Sequence, residues 1–143
     1  DKNESFNISE LISRIISKYE NANISLIQDK NVFFNGRKNL LQRCLDNLIG
    51  NALKFAKIVN IKQEKLKKNI FITIEDNGPG IPENELENVF KPFYKIDKSR
   101  SESKSSVGLG LSISSDIVRS HGGNIELGKS SLGGLKVRIS LPI

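Results

Sequence analysis

Residues 70 to 81 read IFITIEDNGPGI. Ile70, Ile72 and Ile74 alternate with Phe71, Thr73 and Glu75, which predicts a strand whose even-numbered side chains face a core. Asp76 shares that parity, so the strand carries a carboxylate onto its apolar side, a costly place unless something there donates hydrogen bonds to it. Asn77, Gly78, Pro79 and Gly80 then break the strand in a tight turn, and the two glycines let backbone approach a flat ligand closely. A buried acceptor beside bare backbone suits the edge of a purine. Taken alone, the same residues also read as a strand ending in an ordinary Asx turn.

The helix expected before this strand is the longest periodic segment, residues 37 to 56, with Leu41, Leu45, Leu48, Ala52 and Phe55 near helical spacing. At about 100° per residue, Asn47, Asn51 and Lys54 fall within roughly 60° of one another, beside the apolar face and not opposite it. Two amides and an ammonium bordering a core ask for a polar partner, although a solvated polar face is the plainer alternative. After the strand, Pro82 is placed in the first turn of a short helix, PENELENVF, and Phe90, Pro92, Phe93 and Tyr94 form an apolar anchor. Residues 95 to 107, rich in Ser, Lys and Arg, have little to bury and suit a mobile lid. Leu109, Ile113 and Ile117 recur at four-residue intervals, so a helix is expected to begin just after Gly108 with its first N–H groups open to phosphate. Ile113 stands where a dinucleotide fingerprint would need its third glycine, and no βαβ unit precedes it, which makes a Rossmann reading poor.

At the ends, Asn7 or Ser9 caps a first helix bearing Ile8, Leu11, Ile12, Ile15, Ile16 and Tyr19. Short strands are expected at 24–27, 32–34 and 59–65, and 124–128 with 135–141 make a terminal antiparallel pair turned by 131–134. His121, the only histidine, stands directly before Gly122 as a C-terminal cap and not as a catalytic group.

A chain of 143 residues fits one domain, 1–143. The single cysteine, Cys44, excludes an internal disulfide and a multi-cysteine metal site, and it reads as a small core residue. No apolar run reaches the length of a membrane span and the N-terminus is not a signal peptide, so a cytoplasmic setting is expected. The formal charge of +6 raises the question of nucleic acid. Lys57, Lys62, Lys65, Lys67 and Lys68 are scattered without aromatic platforms, however, so no nucleic-acid partner is expected.

In order and spacing these segments resemble the ATP-binding catalytic domain of bacterial sensor histidine kinases, within the gyrase, heat-shock chaperone, histidine kinase and mismatch-repair ATPase superfamily. DNLIGNALKFA is similar to its N box, EDNGPGI to the first glycine box, FKPFYKIDKSR to the F box and VGLGLSI to the second glycine box. The tail IELGKSSLGGLKVRISLPI resembles most the osmolarity-sensing EnvZ type, with Leu135 where many relatives place Thr. The resemblance implies an α/β two-layer sandwich, a mixed sheet on one side and helices on the other, with ATP between the long helix and a flexible lid at 94–107.

By the same resemblance, Asp76 accepts from the adenine amino group, and Gly78, Gly80 and Ile81 shape the base pocket. Asn51 ligates Mg²⁺, Asn47 and Lys54 contact phosphates, and Phe55 lies against adenine where the family often has Tyr. Lys95, Ile96 and Arg100 act from the lid, and Val107, Gly108, Leu109, Gly110 and Leu111 supply backbone donors. Ser106 and Val107 depart from the small or Gly-Thr pair that usually opens the second glycine box. The implied reaction transfers the γ-phosphoryl group of ATP to a histidine on a separate dimerisation domain, outside these residues, in a homodimeric kinase that feeds a response regulator. Any membrane attachment would lie in segments N-terminal to this domain. Two rivals are a degenerate regulatory nucleotide-binding module and an ATP-hydrolysing clamp of the same superfamily. The clamp places a Glu four residues before its metal-binding Asn, and here that position is Asn47, with Asp46 about 100° round the helix. A serine kinase on the same fold is a third.

Overall fold

The computed structural model describes residues 2–20, 22–91 and 102–143. The expected central strand is β5 (Asn69–Asp76), with Ile70, Ile72, Ile74 and Asp76 all buried, as the alternation requires. It sits mid-sheet. The order is β2-β4-β5-β7-β6, where β2 (Asn23–Gln28) runs parallel to β4 (Ile58–Leu66) and every other pairing, through β7 (Leu135–Pro142) to β6 (Asn124–Lys129), is antiparallel. The helices α1 (Ile8–Ser17), α2 (Lys38–Phe55) and α3 (Glu102–Ser120) form the second layer, making the mixed two-layer α/β sandwich expected of the chain.

Between the layers lie Leu11, Ile12 and Ile15 of α1, Leu41, Leu45 and Ile49 of α2, and Ile70, Ile72, Ile74 and Ile139 of the sheet. Each such burial contributes about 1.5–3 kcal/mol. Asn7 is the cap of α1, its Oδ1 accepting from the Glu10 N–H at 3.0 Å. Ser9 is instead a buried tie, donating to the Asp29 carbonyl and accepting from the Val32 N–H. One strand was not anticipated: β1 (Glu4–Asn7) pairs with β3 (Phe33–Gly36) in a separate antiparallel ribbon. Four residues with a single buried side chain, Phe6, are too short for periodicity to reveal.

Two local expectations are corrected. PENELENVF forms no α-helix but two 3-10 turns, Glu83–Glu85 and Asn88–Phe90, with Pro82 preceding the first. Val89 is the only buried side chain in them, too little apolar face to offset the cost of nucleating a helix. Similarly α3 begins at Glu102, not after Gly108, so the backbone of residues 107–111 lies inside a helix. A helical glycine costs only about 1 kcal/mol, and Gly110 is buried against α2. The buried stripe is rotated too: Leu111, Ser114, Ser115, Ile117 and Val118 face inward, whereas Ile113 is 52% exposed.

Cys44 lies in that α2–α3 contact, 1% exposed, with Sγ 3.8 Å from the Ser114 carbonyl. Burial pushes its thiol up to about 11. It is expected to resist alkylation at pH 8 in the native state and to react in denaturant; rapid native labelling would contradict this packing. Because an unfolded thiol ionises near about 8.5, its contribution to stability should fall as pH rises from there toward the folded value.

Candidate nucleotide site

Asp76, at the end of β5, is 5% exposed and held through one oxygen. Its Oδ1 accepts from the N–H of Gly78 at 2.9 Å and of Leu135 at 3.1 Å, while its main-chain carbonyl accepts from the N–H of Gly134 at 3.0 Å. Among the described residues nothing donates to Oδ2. The carboxylate is therefore pre-oriented, one oxygen satisfied by protein and the other left as an acceptor.

Gly78 presses on the end of α2: a Cβ there would lie 2.7 Å from the Phe55 carbonyl oxygen. Asn77 locks the same junction, its Oδ1 accepting from the N–H groups of Lys57 and Ile58, each at 2.9 Å. Gly80 turns the chain with φ +70°, which a side chain would resist, and Ile81 packs half-buried on the core beyond it. Phe55 is half-buried beside them, with Lys54 Nζ 5.6 Å from its ring centroid.

Along α2 the amide stripe meets α3. Asn47 Nδ2 donates to Ser114 Oγ at 3.2 Å, and a Cβ on Gly110 would come within 2.9 Å of Asn51 Nδ2. Asn51 Nδ2 is buried without an acceptor among the described residues, a polar group that the protein itself leaves unsatisfied. Leu111, by contrast, is 1% exposed in the core and offers a ligand only its backbone. Asp76, Gly78, Phe55, Asn51, Asn47 and Gly110 thus follow one another along α2, from the end of β5 to the contact with α3. Val107, Gly108 and Leu109 lie in the helical backbone of α3; Lys95, Ile96 and Arg100, with most of the 94–107 segment, fall outside the described residues.

Asp46 is turned away from this row of residues. It pairs with Lys18 at 2.7 Å and accepts from the Tyr19 hydroxyl at 3.3 Å, both on the α1 side. Burial first, and then the charge of Asp46, raise the Tyr19 pKa. His121 is also distant in role: Nδ1–H bonds the Ile117 carbonyl at 2.8 Å, Nε2 accepts from the Arg37 N–H at 3.0 Å, and the ring packs beside Phe34. Gly122 follows at φ +77°, completing the helix stop.

Gly134 and Leu135, the donors to Asp76, are the site residues that sequence pattern alone does not assign. The only signal is the Gly-Gly pair at 133 and 134, and nothing local ties it to a residue some sixty positions earlier.

Residues 36–143 match the family described as histidine kinase-, DNA gyrase B- and HSP90-like ATPases. The chain is 32% identical to the sensor protein kinase WalK of Staphylococcus aureus over 97% of its length, spanning 36% of that protein or 24% of a longer form. It therefore spans about a third or less of these relatives. The ATP-binding domain of PrrB from Mycobacterium tuberculosis superposes with a TM-score of 0.81 at 28% identity, covering 99% of this chain and 98% of that one. The catalytic domain of the histidine kinase ThkA, at 24% identity and a TM-score of 0.86 over 99% and 96% of the two chains, shares the fold. With its central strand and two-layer sandwich in place, the chain belongs to the histidine kinase-, DNA gyrase B- and HSP90-like ATPase family, as a catalytic domain of the sensor histidine kinase kind.

Proposed function

We propose that this chain binds Mg-ATP and donates the γ-phosphoryl group to a histidine on a separate dimerisation domain of the same kinase, which then serves a response regulator. The observation that carries the reading is the half-satisfied carboxylate of Asp76, whose Oδ1 holds two N–H groups and whose Oδ2 is left to accept from the adenine amino group. Gly78, Gly80 and Ile81 line the base, and Phe55 offers it an aromatic face. Toward the phosphates come Asn47 and Lys54, with Lys95, Ile96, Arg100 and the backbone of residues 107–111 joining from the lid. Since those backbone N–H groups lie within α3, their donation to phosphate requires the first turns of that helix to open.

The residues fit a magnesium ion held mainly by substrate. No group of three or more His, Cys, Asp or Glu able to hold a metal occurs among the described residues, whereas Asn51 carries an amide whose buried Nδ2 is left unsatisfied and whose oxygen is the candidate ligand. One protein oxygen plus phosphate oxygens and water is how Mg²⁺ is usually bound beside a nucleotide. Bound there, it would neutralise phosphate charge. The chain's own part is then positioning, which phosphoryl transfer needs more than covalent chemistry.

Asp46, committed to Lys18 and Tyr19, gives no water-activating carboxylate at this site, which favours transfer over the hydrolytic clamp. The GGLKVRISLPI tail supports placing the protein near the osmolarity-sensing subtype. In the intact protein we place this domain in the cytoplasm of a homodimer, with any membrane anchor N-terminal to it. Among the described residues no helix is long and apolar enough to cross a membrane.

Full-length protein incubated with γ-labelled ATP and Mg²⁺ should acquire an acid-labile, base-stable phosphoryl group. Asn51→Ala should lower the rate by about 100-fold and remove the Mg²⁺ dependence of nucleotide binding. Label on serine, or steady release of inorganic phosphate without labelled protein, would refute the transfer reading.

A further inference from the structure

Consecutive residues of a strand point to opposite faces of a sheet, and at the end of β5 both anchor the same loop. Asp76, on the core side, holds Gly134 and Leu135 as described. Glu75, on the open side, accepts from Ser130 Oγ at 3.0 Å and from the Ser131 N–H at 3.4 Å through Oε1. The β6–β7 loop, residues 130–134, is thereby clamped over the strand end from both faces.

Ser130 is the hub of that loop. It is 3% exposed, and each of its polar groups is used within the clamp. Its N–H donates to the Gly134 carbonyl at 2.8 Å and its carbonyl accepts from the Gly133 N–H at 2.9 Å. Its hydroxyl donates to Glu75 and accepts from the Leu132 N–H at 3.0 Å. Gly133, at φ +105°, makes the turn that only glycine adopts readily. The loop's shape fixes where the Leu135 N–H points, and that N–H occupies one of the two oxygens of Asp76.

We infer that Glu75 and Ser130 are positioning residues for base selection: their bond holds the β6–β7 loop so that Asp76 presents one free acceptor oxygen to a 6-amino purine. The inference rests on the nucleotide reading above and adds to it a specificity determinant that does not touch the ligand. With the clamp intact, a 6-oxo purine meets an oxygen that cannot rotate away and is rejected. With the clamp cut, the Leu135 N–H drifts from Oδ1, the carboxylate turns more freely and the discrimination shrinks.

The test is calorimetric titration of the 143-residue chain with ATP and with inosine triphosphate, which carries a 6-oxo in place of the 6-amino group. Wild type should prefer ATP by about tenfold or more, and Ser130→Ala and Glu75→Ala should each cut that ratio by about fivefold. Glu75→Gln keeps an oxygen for Ser130 and should retain the wild-type ratio. An unchanged ratio in a folded Ser130→Ala or Glu75→Ala variant would overturn the inference. So would equal weakening of both nucleotides, which is what a merely structural loop contact predicts. A folded wild type that binds neither nucleotide would reject the underlying nucleotide reading and this inference with it.

Discussion

Asp76→Asn is expected to weaken ATP binding by about 100-fold, roughly 2.8 kcal/mol, while changing folding stability by no more than about 1 kcal/mol. The asymmetry comes from the two oxygens doing different work. Oδ1 accepts from the N–H groups of Gly78 and Leu135, and an asparagine Oδ1 can keep both bonds. The amide nitrogen then takes the place of Oδ2 and turns a donor toward the donor amino group of adenine. The bond is lost and a like-dipole contact replaces it. Inosine triphosphate, with an acceptor at that position, should be weakened far less. Titrations of both nucleotides beside a thermal melt separate these terms. A variant that binds ATP like wild type would remove Asp76 from the base site, whereas one that fails to fold would show the carboxylate charge to be structural.

The second large effect is expected at Gly134, through space and not backbone angle. A Cβ there would lie 2.6 Å from both the Asp76 carbonyl oxygen and the Gly78 nitrogen, and would also press on Asp76 Oδ1. These are backbone atoms and a buried carboxylate, so none of them moves cheaply. Gly134→Ala should cost about 2–4 kcal/mol of stability, lowering the melting temperature by roughly 5–15 °C. ATP affinity should fall with it, since the displaced groups are those that orient Asp76. Gly128→Ala is the control: a Cβ there meets nothing within 4 Å, so its melting temperature should stay within a few degrees of wild type. Equal melting temperatures for the Gly134 and Gly128 variants would mean that the β6–β7 loop does not sit on β5 as described.

Period, not composition, made the fold legible. Ile70, Ile72, Ile74 and Asp76 announce β5 by strict alternation, and Leu41, Leu45, Leu48 and Ala52 announce α2 by their spacing; both are buried where the pattern puts them. Where the pattern is brief or the stabilising contact is distant, sequence says less. β1 is four residues long and is stabilised by pairing with Phe33–Gly36, which no local signal reveals. The start of α3 is misread for the opposite reason: Gly108 and Gly110 look like a break, but Gly110 is where α3 closes on the amides of α2. That tertiary contact outweighs the small propensity penalty of a helical glycine.

The candidate site divides in the same way. Asp76, Asn47 and Asn51 stand out because a polar group on or beside an apolar face needs an explanation; Asp76 is buried at the end of β5, and the two amides lie where α2 meets Gly110 of α3. The groups that hold Asp76, namely the Leu135 N–H, the Gly134 N–H and the Ser130 loop, are backbone and non-local, so no residue type betrays them. Asn77 is intermediate. Its turn is predictable, but its capping of Lys57 and Ile58 is visible only once α2 and β5 lie side by side.

The most direct measurement is calorimetric titration of the chain with ATP, with and without Mg²⁺. The account predicts a single site that binds tighter with the metal than without it. A folded chain that evolves no heat with ATP in either condition would contradict it.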